Sequence, residues 1–326
     1  MKANPRISVF AVAILCAAVA TGPAWGQSPE PQMLRFRAAT VATQDLPAFE
    51  RDYAALLGYR VRERGTISRE LAASWGAKRV SSRKFLLLSS DASPDVLIRA
   101  VEAPAAPDYR PLTTHGWNAI EIVVQDPDQL RQRFTGSPFT VIGEPEFLGG
   151  YPTIRAFQVR GPSQEVLYLT AETGDRSRSP LPAPGGEVGR IFIMVVAGPD
   201  INALNRWYAE RFKLTAGVVN DRNVGVLTRA QNLRADQTVP LTTIRLGQRG
   251  NLLELDGYPP TAGPRPQARG LLPPGIALVS VAVRNLDALK LDFLSAPRVR
   301  SGALYRGARS ATVRGPAGEL LELIEE

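Results

Sequence analysis

A short phrase recurs near the end of four stretches of the chain and constrains the fold more than any other feature. It reads SPDVLIRAV from Ser93, GPSQEVLYL from Gly161, RGNLLEL from Arg249 and RGPAGELLELIEE from Arg314. Repetition of this kind indicates one supersecondary unit used several times, each copy burying its apolar face against another. The phrase varies near its end, where the chain holds Arg99, Tyr168, Glu254 and Glu322 in turn.

Each copy of the phrase is preceded by the same order of sequence patterns. In the first copy, strand-like residues lead to Asp45, which can cap a helix, and Phe49 and Tyr53 then recur at helical spacing. Gly58 suits the position just past a helix end, and a new strand starts at Tyr59. The equivalent caps in the other copies are Asp126, Asp200 and Asn285, with a last helix predicted over 289–294. The sequence therefore predicts four β-α-β-β-β modules.

Segments rich in Pro and Gly separate the modules and divide the chain. They lie at 103–111, 174–186 and 259–274, and such composition is typical of exposed connectors. The middle connector is the most polar, so we expect it to separate two halves. The N-terminal half then runs over 34–173, with modules 34–103 and 115–173, and the C-terminal half over 187–326, with modules 187–258 and 275–326.

The first 26 residues have the pattern of a secretory signal peptide. Lys2 and Arg6 precede an apolar run from Ile7 to Ala20, and small residues surround a cut before Gln27. The run is too short for a comfortable membrane span, so no membrane anchor is expected after cleavage. We therefore expect a periplasmic or secreted protein. Cleavage removes the one cysteine, which leaves no disulfide, thiol nucleophile or thiolate ligand.

The charge of the chain argues against a nucleic-acid partner. The formal net charge is +8, and it falls to +6 when Lys2 and Arg6 are removed. The remaining arginines are scattered along the chain, whereas a nucleic-acid binder would cluster them with aromatic residues on one face. We expect a small-molecule ligand, no nucleic acid, and a monomer or homodimer.

The motifs resemble those of the vicinal oxygen chelate superfamily, which includes glyoxalase I, bleomycin-resistance proteins and extradiol dioxygenases. The resemblance rests on Asp45 with Tyr53, on Leu-Gly-Tyr at 57–59, and on the closing GNLLEL and GELLEL, and it covers about 34–326. It implies an α+β fold in which the four βαβββ modules pair into two curved-sheet cups. A small ligand would be held in a cup.

The resemblance also implies where metal ligands would lie. Family members place them about seven residues before the capping Asp and at the glutamate of the closing strand. The first-strand positions counted in this way hold Ala38, Ala119, Ile193 and Leu278, none of which binds a metal. The closing strands supply Arg99, Tyr168, Glu254 and Glu322. We therefore expect neither a metal nor another cofactor.

Six residues are candidates for the functional site. In the C-terminal half, Glu254 and Glu322 are expected to converge, and loss of water would raise their pKa and allow general-base catalysis. The alternative is that both are relics paired with Arg245 or Arg314.

In the N-terminal half, Arg99 and Tyr168 would face the cup and suit a carboxylate-bearing or aromatic ligand. His115, the only histidine, is either a base or donor at a cup rim beside Trp117, or an ordinary loop residue.

Two functions follow from these residues. One is a metal-independent lyase or isomerase that moves a proton next to a carbonyl by carboxylate acid–base chemistry. The other is a non-catalytic protein that sequesters a small molecule, as bleomycin-resistance proteins do. A third hypothesis is a purely structural role, in which one half is retained only to complete the other half. With one His and one Cys, which lies in the signal peptide, nucleophilic triads are excluded.

We predict that the chain is exported and cleaved near Gly26, because a charged start, an apolar run and small residues follow one another. The intact mass of protein recovered from the cell envelope or medium should match a chain that starts at or close to Gln27. Recovery of the full-length chain from the cytosol would contradict the prediction.

Overall fold

The computed structural model describes residues 30–326, so the predicted cleavage site lies outside the described residues. Module 1 contains β1 (Met33–Thr43), α1 (Leu46–Leu57), β2 (Arg60–Thr66), α2 (Arg69–Ser74), β3 (Lys84–Ser89) and β4 (Leu97–Glu102). Module 2 contains β5 (Gly116–Val124), α3 (Pro127–Gln132), β6 (Thr140–Leu148), β7 (Tyr151–Arg160) and β8 (Val166–Glu172).

The other two modules follow the same plan with small differences. Module 3 contains β9 (Val188–Gly198), α4 (Ile201–Phe212), β10 (Asn220–Arg222), α5 (Gly225–Ala230), β11 (Val239–Arg245) and β12 (Leu252–Gly257). Module 4 contains β13 (Gly275–Val283), β14 (Arg298–Val299), β15 (Arg309–Arg314) and β16 (Leu320–Glu325). No helix within 30–326 has the length and apolar character that a membrane crossing requires.

The predicted caps are confirmed, and one predicted helix is wrong. The Asp45 side chain accepts a hydrogen bond from the Ala48 amide, and Gly58 ends α1 with a φ of 67°. Asp126 and Asp200 cap α3 and α4 in the same way. Asn285 accepts from the Ala288 amide, yet only a 3-10 turn over Asp287–Leu289 follows, and 290–294 is not helical.

Two eight-stranded sheets contain all the strands of the described chain. Sheet 1 has the order β14-β15-β16-β13-β1-β4-β3-β2, and sheet 2 has the order β10-β11-β12-β9-β5-β8-β7-β6. Module 1 therefore pairs with module 4, and module 2 with module 3. We call the concave face of sheet 1 cup 1 and that of sheet 2 cup 2.

The expected pairing of modules 1 with 2 and 3 with 4 is wrong. In each sheet the two modules join by antiparallel pairing of their first strands, β1 with β13 and β5 with β9. Every module offers the same kind of first-strand edge, so the local sequence pattern cannot specify which two edges meet. The polar connector at 174–186 joins two modules of one sheet instead of separating two halves.

Alternation along the closing strands directs one face to the main core. Leu253 and Leu255 on β12, and Leu321 and Leu323 on β16, are buried in one cluster with apolar residues of α1 and α4. The glutamates between them, Glu254 and Glu322, therefore point to the opposite, concave faces, as the sequence predicts.

Two buried tyrosine–glutamate hydrogen bonds tie the sheets together. Tyr53 of α1 donates to Glu165 at 3.3 Å, which links module 1 to module 2. Tyr208 of α4 donates to Glu319 at 2.7 Å, which links module 3 to module 4. Burial raises the pKa of each of these two glutamates to about 7.

We predict that these two glutamates make the protein less stable as the pH rises from about 4.5 to about 7. The pKa of each glutamate is higher in the folded state than in the unfolded state, so between the two values the folded state binds more protons. As the pH rises through this range, the free energy of unfolding falls by about 1.4 kcal/mol per pH unit for each group. Glu165→Gln with Glu319→Gln should weaken the pH dependence of the free energy of unfolding measured in urea. Glu210→Gln, on the exposed face of α4, is the control. An unchanged slope in the double variant would contradict the prediction.

Candidate functional site

The parallel register between first and closing strands defines four facing positions in each cup. In sheet 1, Arg99 lies beside Thr40 and Glu322 beside Ser280. We call these four residues ring 1. In sheet 2, Tyr168 lies beside Glu121 and Glu254 beside Val195. These four residues form ring 2.

The rings differ from the expected metal-ligand positions by two residues on every first strand. Counting back from the capping residue gives Ala38, Ala119, Ile193 and Leu278. These residues face the same cups, but each lies two residues before the ring position on its strand. The cause is that the register with the closing strand, and not the distance to the cap, fixes which residues meet. The count therefore missed Glu121, a carboxylate on β5.

The candidate residues also meet in other combinations than the sequence suggested. Glu254 and Glu322 belong to different sheets and do not converge. Arg99 instead meets Glu322, with 3.0 Å between Nη2 and Oε2, and Tyr168 shares ring 2 with Glu254. A cation therefore lies beside the carboxylate of cup 1.

Ring 1 is held by a buried ion pair that is surrounded by further hydrogen bonds. Arg99 and Glu322 have 2% and 0% of their side-chain surface exposed. The Arg99 Nε donates to Thr40 at 2.9 Å, and Nη1 donates to the Tyr305 hydroxyl at 2.8 Å. Its guanidinium also lies 4.4 Å from the ring centre of Trp75, a cation–π contact.

Both oxygens of Glu322 are occupied by protein donors. Oε1 accepts from Trp75 Nε1 at 2.9 Å and from Tyr305 at 2.8 Å, and Oε2 accepts from Ser280 at 2.6 Å as well as from Arg99. Burial alone would raise the pKa of Glu322, but the Arg99 charge and the three other hydrogen bonds hold it below its ordinary value. The expectation that dehydration raises this pKa is wrong. Glu322 is an ionised partner of Arg99 and not a poised base.

A cavity of about 260 Å³ opens beside ring 1. It is lined by Arg99, Tyr305 and residues of β2, β3, α2 and the segment 299–304. The volume is that of about nine water molecules. A guanidinium has five N–H groups, and four hydrogen bonds from Arg99 to protein are present, so one N–H on Nη1 is uncommitted.

Ring 1 does not fit a divalent metal ion. Its only carboxylate already neutralises a buried guanidinium, and the remaining members are two hydroxyls. A dication at this position would lie against the Arg99 charge in a low-dielectric interior, where repulsion is strong. The resident cation of cup 1 is therefore part of the chain.

Ring 2 has the opposite electrostatics. Glu121 and Glu254 face cup 2, and Asp256, two residues after Glu254, lies on the same face of β12. Burial together with the neighbouring Asp256 and Glu121 raises the pKa of Glu254, and burial raises the pKa of Glu121 and Asp256 to about 7. No salt bridge joins these three carboxyls to a cation within 30–326.

Cup 2 also lacks the spacing of a metal site. Within the described residues, no three His, Cys, Asp or Glu side chains are grouped so that they hold a metal ion. The donor set of cup 2 is three carboxyls and the phenol of Tyr168, with no imidazole, which is a poor set for zinc, iron or nickel.

His115 and Trp117 lie outside both rings. Trp117 is buried in the main core and donates from Nε1 to the Leu320 carbonyl at 2.8 Å. His115 lines a groove with Arg314 and Glu319, its Nε2 is buried without a partner, and burial lowers its pKa. Trp117 lines the same groove, which contains none of the ring residues, so the two side chains do not stand at the rim of either ring.

Four residues in or beside the rings were missed from the sequence, for different reasons. Glu121 and Asp256 carried a signal, because strand alternation places them on the concave faces. Trp75 and Tyr305 lie in irregular segments after α2 and before β15, so no periodicity points to them. Their contacts with Glu322 arise only in the folded chain.

Solved structures show where similar architecture occurs. Glyoxalase I from Zea mays superposes with a TM-score of 0.59 at 12% identity, covering 89% of this chain and 92% of that one. A protein from Bacillus subtilis described as a "putative dioxygenase" superposes with a TM-score of 0.60 at 10% identity, covering 90% and 86%. No protein-family model and no curated protein matches the sequence.

We predict that breaking the ring 1 pair is costly and that the cost is coupled. Arg99→Met or Glu322→Gln alone leaves its partner buried and uncompensated, which costs about 3–5 kcal/mol of the free energy of unfolding. The double variant should cost clearly less than the two single variants added together. The exposed pair Arg234–Asp236 is the control, and its two substitutions should show no measurable coupling because solvent screens the charges. Additive costs at ring 1, or costs as small as the control, would contradict the assignment.

Proposed function

Because the chain has the glyoxalase fold of the vicinal oxygen chelate superfamily, we propose that it is a binding protein that holds a small compound in cup 1 without a metal. The observation that carries the proposal is the Arg99–Glu322 pair at ring 1, beside a cavity. The Arg99 guanidinium lies beside this cavity, where it can hold an oxygen atom of a ligand.

The state of Glu322 favours binding over chemistry in this cup. A general base needs a free lone pair and a pKa near the working pH. Glu322 accepts four hydrogen bonds, and its pKa is held below the ordinary value by those contacts. The same network fixes the position of the Arg99 guanidinium, and such preorganisation favours binding.

The lining of the cavity suggests the class of ligand. The free N–H of Arg99 suits a carboxylate or carbonyl oxygen. Leu71, Phe85 and Leu87 provide apolar walls, and Phe85 offers an aromatic face. A small aromatic or carboxylate-bearing compound matches both features. Export to the periplasm or medium belongs to the same proposal and would expose the cup to compounds outside the cytosol.

A second candidate function rests on cup 2. The Glu254 side chain is only partly exposed. Its burial, together with the charges of the neighbouring Asp256 and Glu121, raises its pKa. A carboxyl whose pKa is raised suits the acid–base chemistry of a metal-independent lyase or isomerase. Glu254, with Glu121 and Asp256 beside it, would then replace the Glu254–Glu322 couple that the sequence suggested.

We predict that filling the cup 1 cavity abolishes ligand binding. Ligand is identified by mass spectrometry of small molecules that copurify with the exported protein, and its affinity is then measured by calorimetry. Thr66→Trp, on the exposed wall of the cavity, should reduce affinity at least about tenfold by occupying the space. Thr243→Trp, opposite Glu254 in cup 2, is the matched control and should leave the ligand affinity unchanged. Addition of a metal chelator should also leave this affinity unchanged.

Two outcomes would redirect the proposal. Affinity that is lost with Thr243→Trp and retained with Thr66→Trp would move the binding site to cup 2. A compound returned chemically changed by wild-type protein, and unchanged by Glu254→Gln, would establish the proton-transfer function instead.

A further inference from the structure

Cup 2 combines acidic and aromatic side chains, and within residues 30–326 no cation forms an ion pair with its carboxyls. Arg265 acts electrostatically on Tyr258, but its guanidinium donates to the Ile276 and Trp117 carbonyls. Glu121, Glu254 and Asp256 point to its concave face from β5 and β12, and Tyr168 lies beside Glu121 on β8. Tyr258, directly after β12, is buried in the same cluster of cup residues. We propose that cup 2 binds a small organic cation, a protonated amine, through these carboxyls and phenols.

Two buried polar atoms in this cup point independently to a missing partner. Asp256 and Tyr258 are 2% and 4% exposed, and neither Oδ1 of Asp256 nor the Tyr258 hydroxyl has a hydrogen-bond partner. Buried polar groups without partners are uncommon and cost free energy. An ammonium group has several N–H donors and no acceptor, so it satisfies Asp256 and leaves the phenols to make cation–π contacts.

The cup can be reached from solvent on one side. Glu254 and Tyr168 are partly exposed, and Thr243, the β11 neighbour of Glu254, is exposed. Val226 and Leu227 of α5 pack in the same apolar cluster as the cup residues, and Arg229 of α5 donates to the Ile142 carbonyl at 2.6 Å. An approaching ligand therefore meets Glu254 first and Asp256 deeper in the cup.

The walls favour an organic cation over a hydrated metal ion. Ile193, Val195 and Val226 line the cup between the carboxyls, so a bound ion would lose much of its water. A metal ion would need oxygen ligands to replace that water, and no suitable group of three is present among the described residues. An alkyl or aryl ammonium gains from apolar walls and needs fewer polar contacts.

Binding of a cation should release protons. Burial raises the pKa of Glu121 and of Asp256 to about 7, and burial together with the Asp256 and Glu121 charges raises the pKa of Glu254. A positive charge among them favours their ionised form. Near pH 7, an amine that enters already protonated should therefore displace protons from the cup. This inference does not depend on ligand binding in cup 1, and the proton-transfer function of cup 2 does not require an amine.

The experiment is calorimetry of the mature chain at pH 7 with benzylamine, tetramethylammonium and the uncharged benzyl alcohol. We expect benzylamine to bind at least about tenfold more tightly than benzyl alcohol, because a charge-assisted hydrogen bond is worth that much or more. Titration in two buffers of different ionisation enthalpy should show proton release. Tetramethylammonium, which cannot donate a hydrogen bond, should bind more weakly than benzylamine.

Matched variants locate the site. Glu254→Gln and Asp256→Asn should each weaken benzylamine at least about tenfold, and circular dichroism checks that both remain folded. Glu70 and Thr66 line the cup 1 cavity, so Glu70→Gln and Thr66→Trp should leave the affinity for benzylamine unchanged. A failure of this inference can therefore be told apart from a failure of the cup 1 proposal. Equal binding of amine and alcohol, or amine binding that survives both cup 2 substitutions, would overturn the inference. Zinc or magnesium binding that depends on Glu254, without amine binding, would also overturn it.

Discussion

The buried pair between Arg99 and Glu322 is the interaction on which the rest of this structure depends. It joins the first module to the last, two segments at opposite ends of the described chain, across the seam of sheet 1. A fully buried charge is tolerated only when its partner and hydrogen bonds are in place. Trp75, Tyr305 and Ser280 supply those bonds, so segments far apart in sequence must fold together before the pair is stable.

The two cups show how one scaffold separates into different electrostatic environments. Corresponding ring positions hold Arg99 and Tyr168 on one side, and Glu322 and Glu254 on the other. In cup 1 the arginine keeps its glutamate ionised and hydrogen-bonded. In cup 2 the tyrosine carries no charge, so Glu254 is left with other carboxyls and its pKa rises. The two rings therefore share only the glutamate of one closing strand, while Arg99, Thr40 and Ser280 of ring 1 correspond to Tyr168, Glu121 and Val195 of ring 2.

The sequence predicted what depends on local physics and missed what depends on long-range register. Caps such as Asp45, and the inward direction of Glu254 and Glu322, follow from helix termini and strand alternation, and both are confirmed. The pairing of module 1 with module 4 could not be predicted, because every first strand presents a similar edge. The wrong pairing then placed Glu254 with Glu322, and counting residues instead of register hid Glu121.

In cup 1 the Arg99 guanidinium supplies the positive charge beside Glu322, and this charge excludes a metal ion from ring 1. Anomalous diffraction from crystals soaked in zinc or nickel tests it most directly. The account predicts no anomalous peak at ring 1 and an Arg99 guanidinium within hydrogen-bond distance of Glu322. A metal peak bonded to Glu322, with Arg99 displaced from the ring, would contradict it.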